Sequence, residues 1–67
     1  MLRNDIQRIT GLTRKALEYY EEKGFIHPRR LENGYREYSE KDAEILNKIA
    51  LFKKLGLTIT EIKDCLK

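Results

Sequence analysis

The 67-residue sequence predicts a mainly α-helical fold with one small β-hairpin, in which four helices form two pairs around a two-stranded wing. Three observations carry that expectation. Residues Glu21 to Ser39 contain, in strict succession, a helix stop, a tight-turn signal and a new helix start. Ahead of them lie two short runs of helical apolar periodicity joined through Gly11-Leu12-Thr13. Behind them lie two more, separated at Gly56.

The first helix is expected over roughly residues 5–10, with Asn4 as its N-cap, Asp5 near the positive end of its dipole, and Ile6 and Ile9 as its buried edge. Gly11 permits a left-handed turn, Leu12 plugs the corner, and Thr13 can accept a backbone N–H at the start of a second helix. This is a helix-turn-helix pattern. The second helix spans roughly residues 14–23. Its apolar positions Ala16, Leu17 and Tyr20 face the core, so Arg14, Lys15, Glu18 and Tyr19 face elsewhere. Gly24 closes it, Phe25-Ile26 return to the core, and His27-Pro28 hold the chain extended.

Asn33-Gly34 lies between the flanks Arg29 to Glu32 and Tyr35 to Tyr38, a pattern that predicts a two-residue type I′ hairpin with positive φ at both turn positions. Period two then sets Tyr35 and Glu37 on one face, Arg36 and Tyr38 on the other, and Tyr38 can pair across the hairpin with Arg29 or Arg30. Ser39-Glu40-Lys41-Asp42 is a capping box with Asp in place of Glu. It opens a third helix to about Leu55, with a buried stripe of Ile45, Leu46, Ile49, Ala50 and Phe52. Thr58 to Glu61 form a full capping box for a fourth helix that is still running where the chain ends, with Ile62 and Leu66 inward. A hairpin beside a helix-turn-helix makes a winged helix-turn-helix.

Size bounds this to a single domain over residues 1–67, because so small a core cannot be divided further. One cysteine forms no internal disulfide, and there is no Cys/His cluster for a structural metal. No apolar run approaches the ~20 residues needed to cross a bilayer, and the opening residues lack a secretory signal, so a cytoplasmic protein is expected. The formal charge of +3 favours polyanions, and its distribution says more. In the first thirty residues Arg3, Arg8, Arg14, Lys15, Lys23, Arg29 and Arg30 oppose only Asp5, Glu18, Glu21 and Glu22, whereas the remainder is balanced. An enzyme is not expected: there is one histidine, no nucleophile with a nearby base and no phosphate-cradling loop.

Three blocks in this order resemble the DNA-binding domain of the MerR family of bacterial transcription regulators. They are Thr10-Gly11-Leu12-Thr13 with Tyr19-Tyr20-Glu21-Glu22-Lys23-Gly24, then Glu32-Asn33-Gly34-Tyr35-Arg36 with Tyr38, then Leu55-Gly56-Leu57-Thr58 with Glu61-Ile62. The resemblance runs from about Asp5 to Leu66, and its first block looks closest to the metal-responsive branch. It implies that the second helix enters the major groove, that the hairpin clasps flanking backbone, and that the turn between the last two helices acts as a second wing. It further implies a homodimer on a pseudo-palindromic operator in double-stranded promoter DNA, whose bending and untwisting realigns promoter elements for RNA polymerase.

In the family, dimerisation uses a long helix after the fourth, followed by an effector domain, and neither falls within these 67 residues. The expected chain is therefore an excised domain, monomeric in isolation. The alternatives are a stand-alone excisionase-like architectural protein or a protein-interaction adaptor on the same fold. Two positions depart from the family pattern. Glu18 stands where arginine is common and would face phosphates with the wrong sign. Arg3 replaces an apolar residue and predicts a frayed or differently packed first helix.

The expected DNA-binding residues are Thr13, Arg14, Lys15, Tyr19, Tyr20, Arg29, Arg30, Arg36, Tyr38, Lys53 and Lys54. Arg14 and Lys15 occupy the helix tip that reaches base edges, where Arg bridges guanine O6 and N7. Thr13 is chiefly a cap, Tyr19 points off the core stripe, and Tyr20 is on it. Arg36, with Arg29, Arg30 and Tyr38, offers the wing's grip on phosphate oxygens. Lys53 and Lys54 suit the third helix's C-terminal dipole as well as phosphate. His27 reads as a turn residue and Cys65 as a small apolar one, so no metal or other cofactor is expected.

Overall fold

A computed structural model describes residues 1–66. Four helices and one antiparallel pair follow in the order α1 (Arg3–Thr10), α2 (Arg14–Glu22), β1 (Arg29–Arg30), β2 (Arg36–Glu37), α3 (Glu40–Lys54) and α4 (Ile59–Cys65). The fold class is the expected one: mainly helical, with a single two-stranded wing between two helical pairs. Lys67, to which the fourth helix was expected to run on, lies outside the described residues.

The caps explain where each helix starts. Thr13 Oγ1 accepts the Ala16 N–H at 3.1 Å to open α2. Ser39 and Asp42 bond reciprocally at 3.0 and 3.1 Å to open α3, and Thr58 and Glu61 do the same at 3.3 and 2.9 Å for α4. Of these, Asp42 alone is buried, and its second carboxylate oxygen takes the His27 N–H at 3.4 Å, pinning the chain that leaves α2 onto the start of α3.

The first helix begins earlier than expected. Leu2, not Asn4, is its N-cap, and Asp5 reaches back to the Leu2 N–H at 3.3 Å. Arg3 therefore becomes the first helical residue, exposed rather than forced into the core. The buried edge of α1 is the Ile6 row alone. Ile9 is 50% exposed although α1 packs on α3, and Thr10 turns its hydroxyl back onto its own helix, donating to the Ile6 carbonyl at 2.7 Å. Gly11 then takes φ 72° and turns the chain into α2.

Ile6, Leu17, Tyr20, Ile26, Tyr38, Ala43, Leu46, Ile49 and Ile62 form the core. Every element except β1 contributes to it or flanks it closely, with Tyr38 entering directly after β2. Ile45, Phe52 and Leu66 pack at its rim.

The hairpin turn differs from the expected type I′. Glu32, Asn33 and Gly34 form a three-residue loop in which the Leu31 N–H bonds the Tyr35 carbonyl at 2.7 Å and the Gly34 N–H bonds the Leu31 carbonyl at 2.9 Å. That is the bonding of a type I turn followed by a bulged glycine. Gly34 alone has positive φ, at 86°. Asn33 keeps negative φ and uses its Oδ1 to accept the Tyr35 N–H at 3.0 Å, so the loop needs one left-handed residue instead of two.

The register moves with the loop. Arg29 opposes Glu37 and Arg30 opposes Arg36, so Tyr38 has no partner on β1. Its backbone pairs instead with Met1, the amino nitrogen of Met1 donating to the Tyr38 carbonyl at 2.9 Å and the Tyr38 N–H returning to the Met1 carbonyl at 2.6 Å. The alternation along β2 is as expected: Tyr35 is 61% exposed and Tyr38 only 3%.

Candidate nucleic-acid interface

The outer side of α2 is flanked by two clefts. One separates it from the wing and is lined by Arg3, Arg14, Glu18, Tyr35, Arg36 and Tyr38, together with Asn33 and Gly34 of the hairpin loop. The other separates α2 from the corner between α3 and α4 and is lined by Tyr19, Tyr20, Lys53, Leu57 and Ile59, with Ala16 and Ile62 at its base. The helical tip and the hairpin thus present Arg14 and Arg36 to a common concavity.

Arg14 is the first residue of α2, where the helix dipole disfavours a cation. Glu18, one turn on, offsets this by accepting from Arg14 Nε at 3.2 Å. Arg36 has a parallel arrangement. Its Nε lies 2.8 Å from Glu21 Oε1, and the two side chains are only 33% and 29% exposed. The contact is electrostatic: that Nε is shielded from solvent and lies off the axis a hydrogen bond would need. Arg29 is held by Glu37 at 2.6 Å on the wing's outer face. Arg30 is exposed opposite Arg36, a like-charge pair that the Glu21 contact relieves on one side.

The tyrosines divide between surface and core. Tyr19 is 41% exposed, its ring edge-on to Tyr20 at 5.5 Å between centroids and covered by Lys23 Nζ at 5.5 Å. Tyr20 and Tyr38 are each 3% exposed, so both act chiefly as packing residues, Tyr20 with its ring against Phe25. Burial, reinforced by the nearby Glu21 carboxylate, pushes the Tyr38 phenol above its ordinary value, while Arg36 and Arg3 oppose the shift.

Thr13 is exposed but its hydroxyl is committed to the cap. Lys15 and Lys54 are exposed and, like Arg29 and Arg30, line neither cleft. Lys53 faces Tyr19 across the second cleft. Arg3 is the residue that sequence reasoning passed over as a packing anomaly. Its place on the first turn of α1 sets it in the lining of the wing cleft, and the long-range pairing of Met1 with Tyr38 ties that end of the chain to the wing. Glu21 was likewise unassigned, since nothing in local spacing links it to Arg36 fifteen positions on.

Among the described residues no group of three or more His, Cys, Asp or Glu side chains could hold a metal ion, and no helix is long and apolar enough to cross a membrane. His27 and Cys65 are both exposed.

The family model for MerR HTH family regulatory proteins matches residues 3–67. The chain belongs to the MerR family. Among curated MerR relatives, the HTH-type transcriptional regulator CueR of Escherichia coli is 41% identical over 59 residues, covering 87% of this chain and 44% of that protein. CueR of Yersinia pestis is 39% identical over 64 residues, 94% of this chain and 46% of the relative. An HTH-type transcriptional regulator of Synechocystis is 42% identical over the same length, 94% and 47%. The chain therefore spans less than half the length of these relatives, which are transcriptional regulators.

Proposed function

We propose that this MerR domain binds double-stranded DNA sequence-selectively in bacterial transcription regulation, in the cytoplasm where that DNA lies. The observation that carries the reading is the shared cleft. Arg14 at the tip of α2 and Arg36 on the wing line one concavity, with Arg3 on a third side, so a helix in the major groove and a wing on flanking phosphates can be engaged together. In this reading Thr13, Arg14 and Lys15 form the leading end of the recognition helix. Arg36, Arg29, Arg30 and Arg3 grip backbone on the wing side. Tyr19, Lys53 and Lys54 grip it on the other. Tyr20 and Tyr38 act through packing, holding α2 and the wing to the core.

The wider protein would act as a homodimer through a helix beyond these residues, on an operator whose bending changes how RNA polymerase meets its promoter. The family match supports that reading over an adaptor or an excisionase-like role.

The test is a gel shift across a salt series, with duplexes selected from a randomised pool by the chain itself and scrambled controls of equal composition. Tighter binding to the selected duplexes is expected, with log K falling linearly as log salt rises by about 0.9 per phosphate contact. Equal, salt-insensitive binding to both would overturn the proposal.

A further inference from the structure

Glu18 is the odd residue of the interface, a carboxylate one turn along the recognition helix in a cleft whose other charged lining residues are Arg3, Arg14 and Arg36. A carboxylate that simply faced phosphates would weaken binding to every duplex alike. Its contact tells a different story. Glu18 takes the Nε–H of Arg14 and no other part of the guanidinium, at 3.2 Å. A guanidinium carries five N–H donors, and the two terminal amino groups are the edge that bridges guanine O6 and N7. Holding Nε leaves that edge free and removes rotamers that a long, exposed side chain would otherwise sample.

The same device recurs three residues along α2, where Glu21 lies 2.8 Å from Nε of Arg36 and again leaves the terminal edge available. Two glutamates of one helix thus each approach an arginine from its stem side, and both arginines line one cleft.

We propose that Glu18 is a positioning residue for DNA recognition: it aims the terminal edge of Arg14 at a guanine and so raises sequence discrimination rather than affinity. This rests on the DNA-binding reading above and assigns a role to the one interface residue whose sign that reading leaves unexplained. A solvent-exposed ion pair between residues four apart contributes little to the free domain. On a duplex the pair is desolvated, and its constraint on Arg14 becomes a constraint on which base is accepted.

The experiment compares the 67-residue chain with Glu18→Ala, Glu18→Gln, Arg14→Ala and the Arg14→Ala/Glu18→Ala double variant, each checked for folding by circular dichroism. The duplexes are those selected by the wild-type chain and their scrambled counterparts. Glu18→Ala is expected to cut the ratio of selected to scrambled affinity by roughly three- to tenfold, a share of the discrimination that a bidentate arginine supplies. Glu18→Gln keeps an acceptor for Nε–H without the charge, so it should retain most of the ratio while binding both duplexes more tightly. In the Arg14→Ala background, Glu18→Ala should leave the ratio unchanged. If Glu18→Ala and Glu18→Gln instead tighten both duplexes by one common factor and keep the ratio, Glu18 acts by charge alone and the inference falls while DNA binding stands. A wild-type chain with no preference overturns both.

Discussion

The two capping boxes offer a controlled comparison, because the same four-residue device sits in two environments. Asp42→Ala removes the acceptor of the Ser39 N–H and, in the same stroke, that of the His27 N–H, at a residue that is 7% exposed. Losing a cap costs ~1 kcal/mol, and leaving a shielded donor unpaired adds about 1–3 kcal/mol, discounted here because the His27 bond is only part-buried and long at 3.4 Å. A net loss of about 2–3 kcal/mol follows, which is a large share of the roughly 3–10 kcal/mol that a domain of this length commands. With each kcal/mol moving the midpoint of so small a domain by about 4–8 °C, thermal unfolding followed by circular dichroism should shift down by roughly 10–20 °C. Glu61→Ala breaks the matching bond to the Thr58 N–H at 2.9 Å in a fully solvated setting, where water replaces it, so its shift should be clearly smaller. The shorter bond is thus expected to matter less than the longer one. Equal shifts would mean that burial of Asp42 and its hold on His27 contribute nothing, and the account of how α2 is joined to α3 would fail.

Four further outcomes are expected. Arg36→Ala should weaken binding to selected and scrambled duplexes alike, lower the salt slope by about 0.9, and strand the half-buried Glu21; adding Glu21→Gln should recover part of the affinity but none of the slope. Arg3→Ala should behave as a second phosphate contact, lowering the salt slope without altering base preference, and an unchanged slope in titrations would remove Arg3 from the interface. Tyr38 is held protonated above its ordinary value of 10.0, so its contribution to stability is complete below about pH 10 and declines as pH rises toward the folded value; Tyr38→Phe should match wild type at neutral pH and show a shallower alkaline fall in melting temperature. Glu61 has the opposite sign: the Thr58 N–H and hydroxyl hold its carboxyl below the ordinary 4.5, so its support for α4 is present above that value and is lost as pH falls through the folded one. Glu61→Gln should flatten this acid limb in amide-exchange measurements on α4.

Most of the fold was legible because its signals are local. The caps at Thr13, Ser39 and Thr58 and the stops at Gly24 and Gly56 each depend on a few neighbouring residues, and all appear where the sequence set them. The failures share a cause. Asn33-Gly34 fits a two-residue or a three-residue loop equally well, and what separates them is the register of the whole wing, fixed partly by Tyr38 pairing with Met1 at the other end of the chain. Ile9 satisfied helical spacing, but of the two isoleucines on α1 only Ile6 is enclosed when the helix packs on α3, a choice that depends on the helix's rotation and not on its own sequence. Among site residues, the Arg14–Glu18 pair could be read from its four-residue spacing, whereas Glu21 beside Arg36 required the folded wing. Tyr38 was expected at the DNA surface because β-alternation places it with Arg36. That face is also the one turned to the core, so the shorter residue disappears into it while the arginine reaches its edge.

A wing of two paired residues per strand is too short to hold its own position, since isolated hairpins are marginal even when longer. Its orientation must therefore be set from outside, and three tethers do this from three elements. The Tyr38 ring anchors the end of β2 in the core, the two Met1–Tyr38 backbone bonds fasten it to the chain entering α1, and Glu21 draws Arg36 toward α2. None of the three involves β1, whose two exposed arginines are joined only to β2, through the ladder and the Arg29–Glu37 ion pair. The distance between Arg36 and the tip of α2, on which simultaneous contact with groove and backbone depends, is thus a property of the core and not of the hairpin. Loosening a tether should degrade binding even when every DNA-facing side chain is retained.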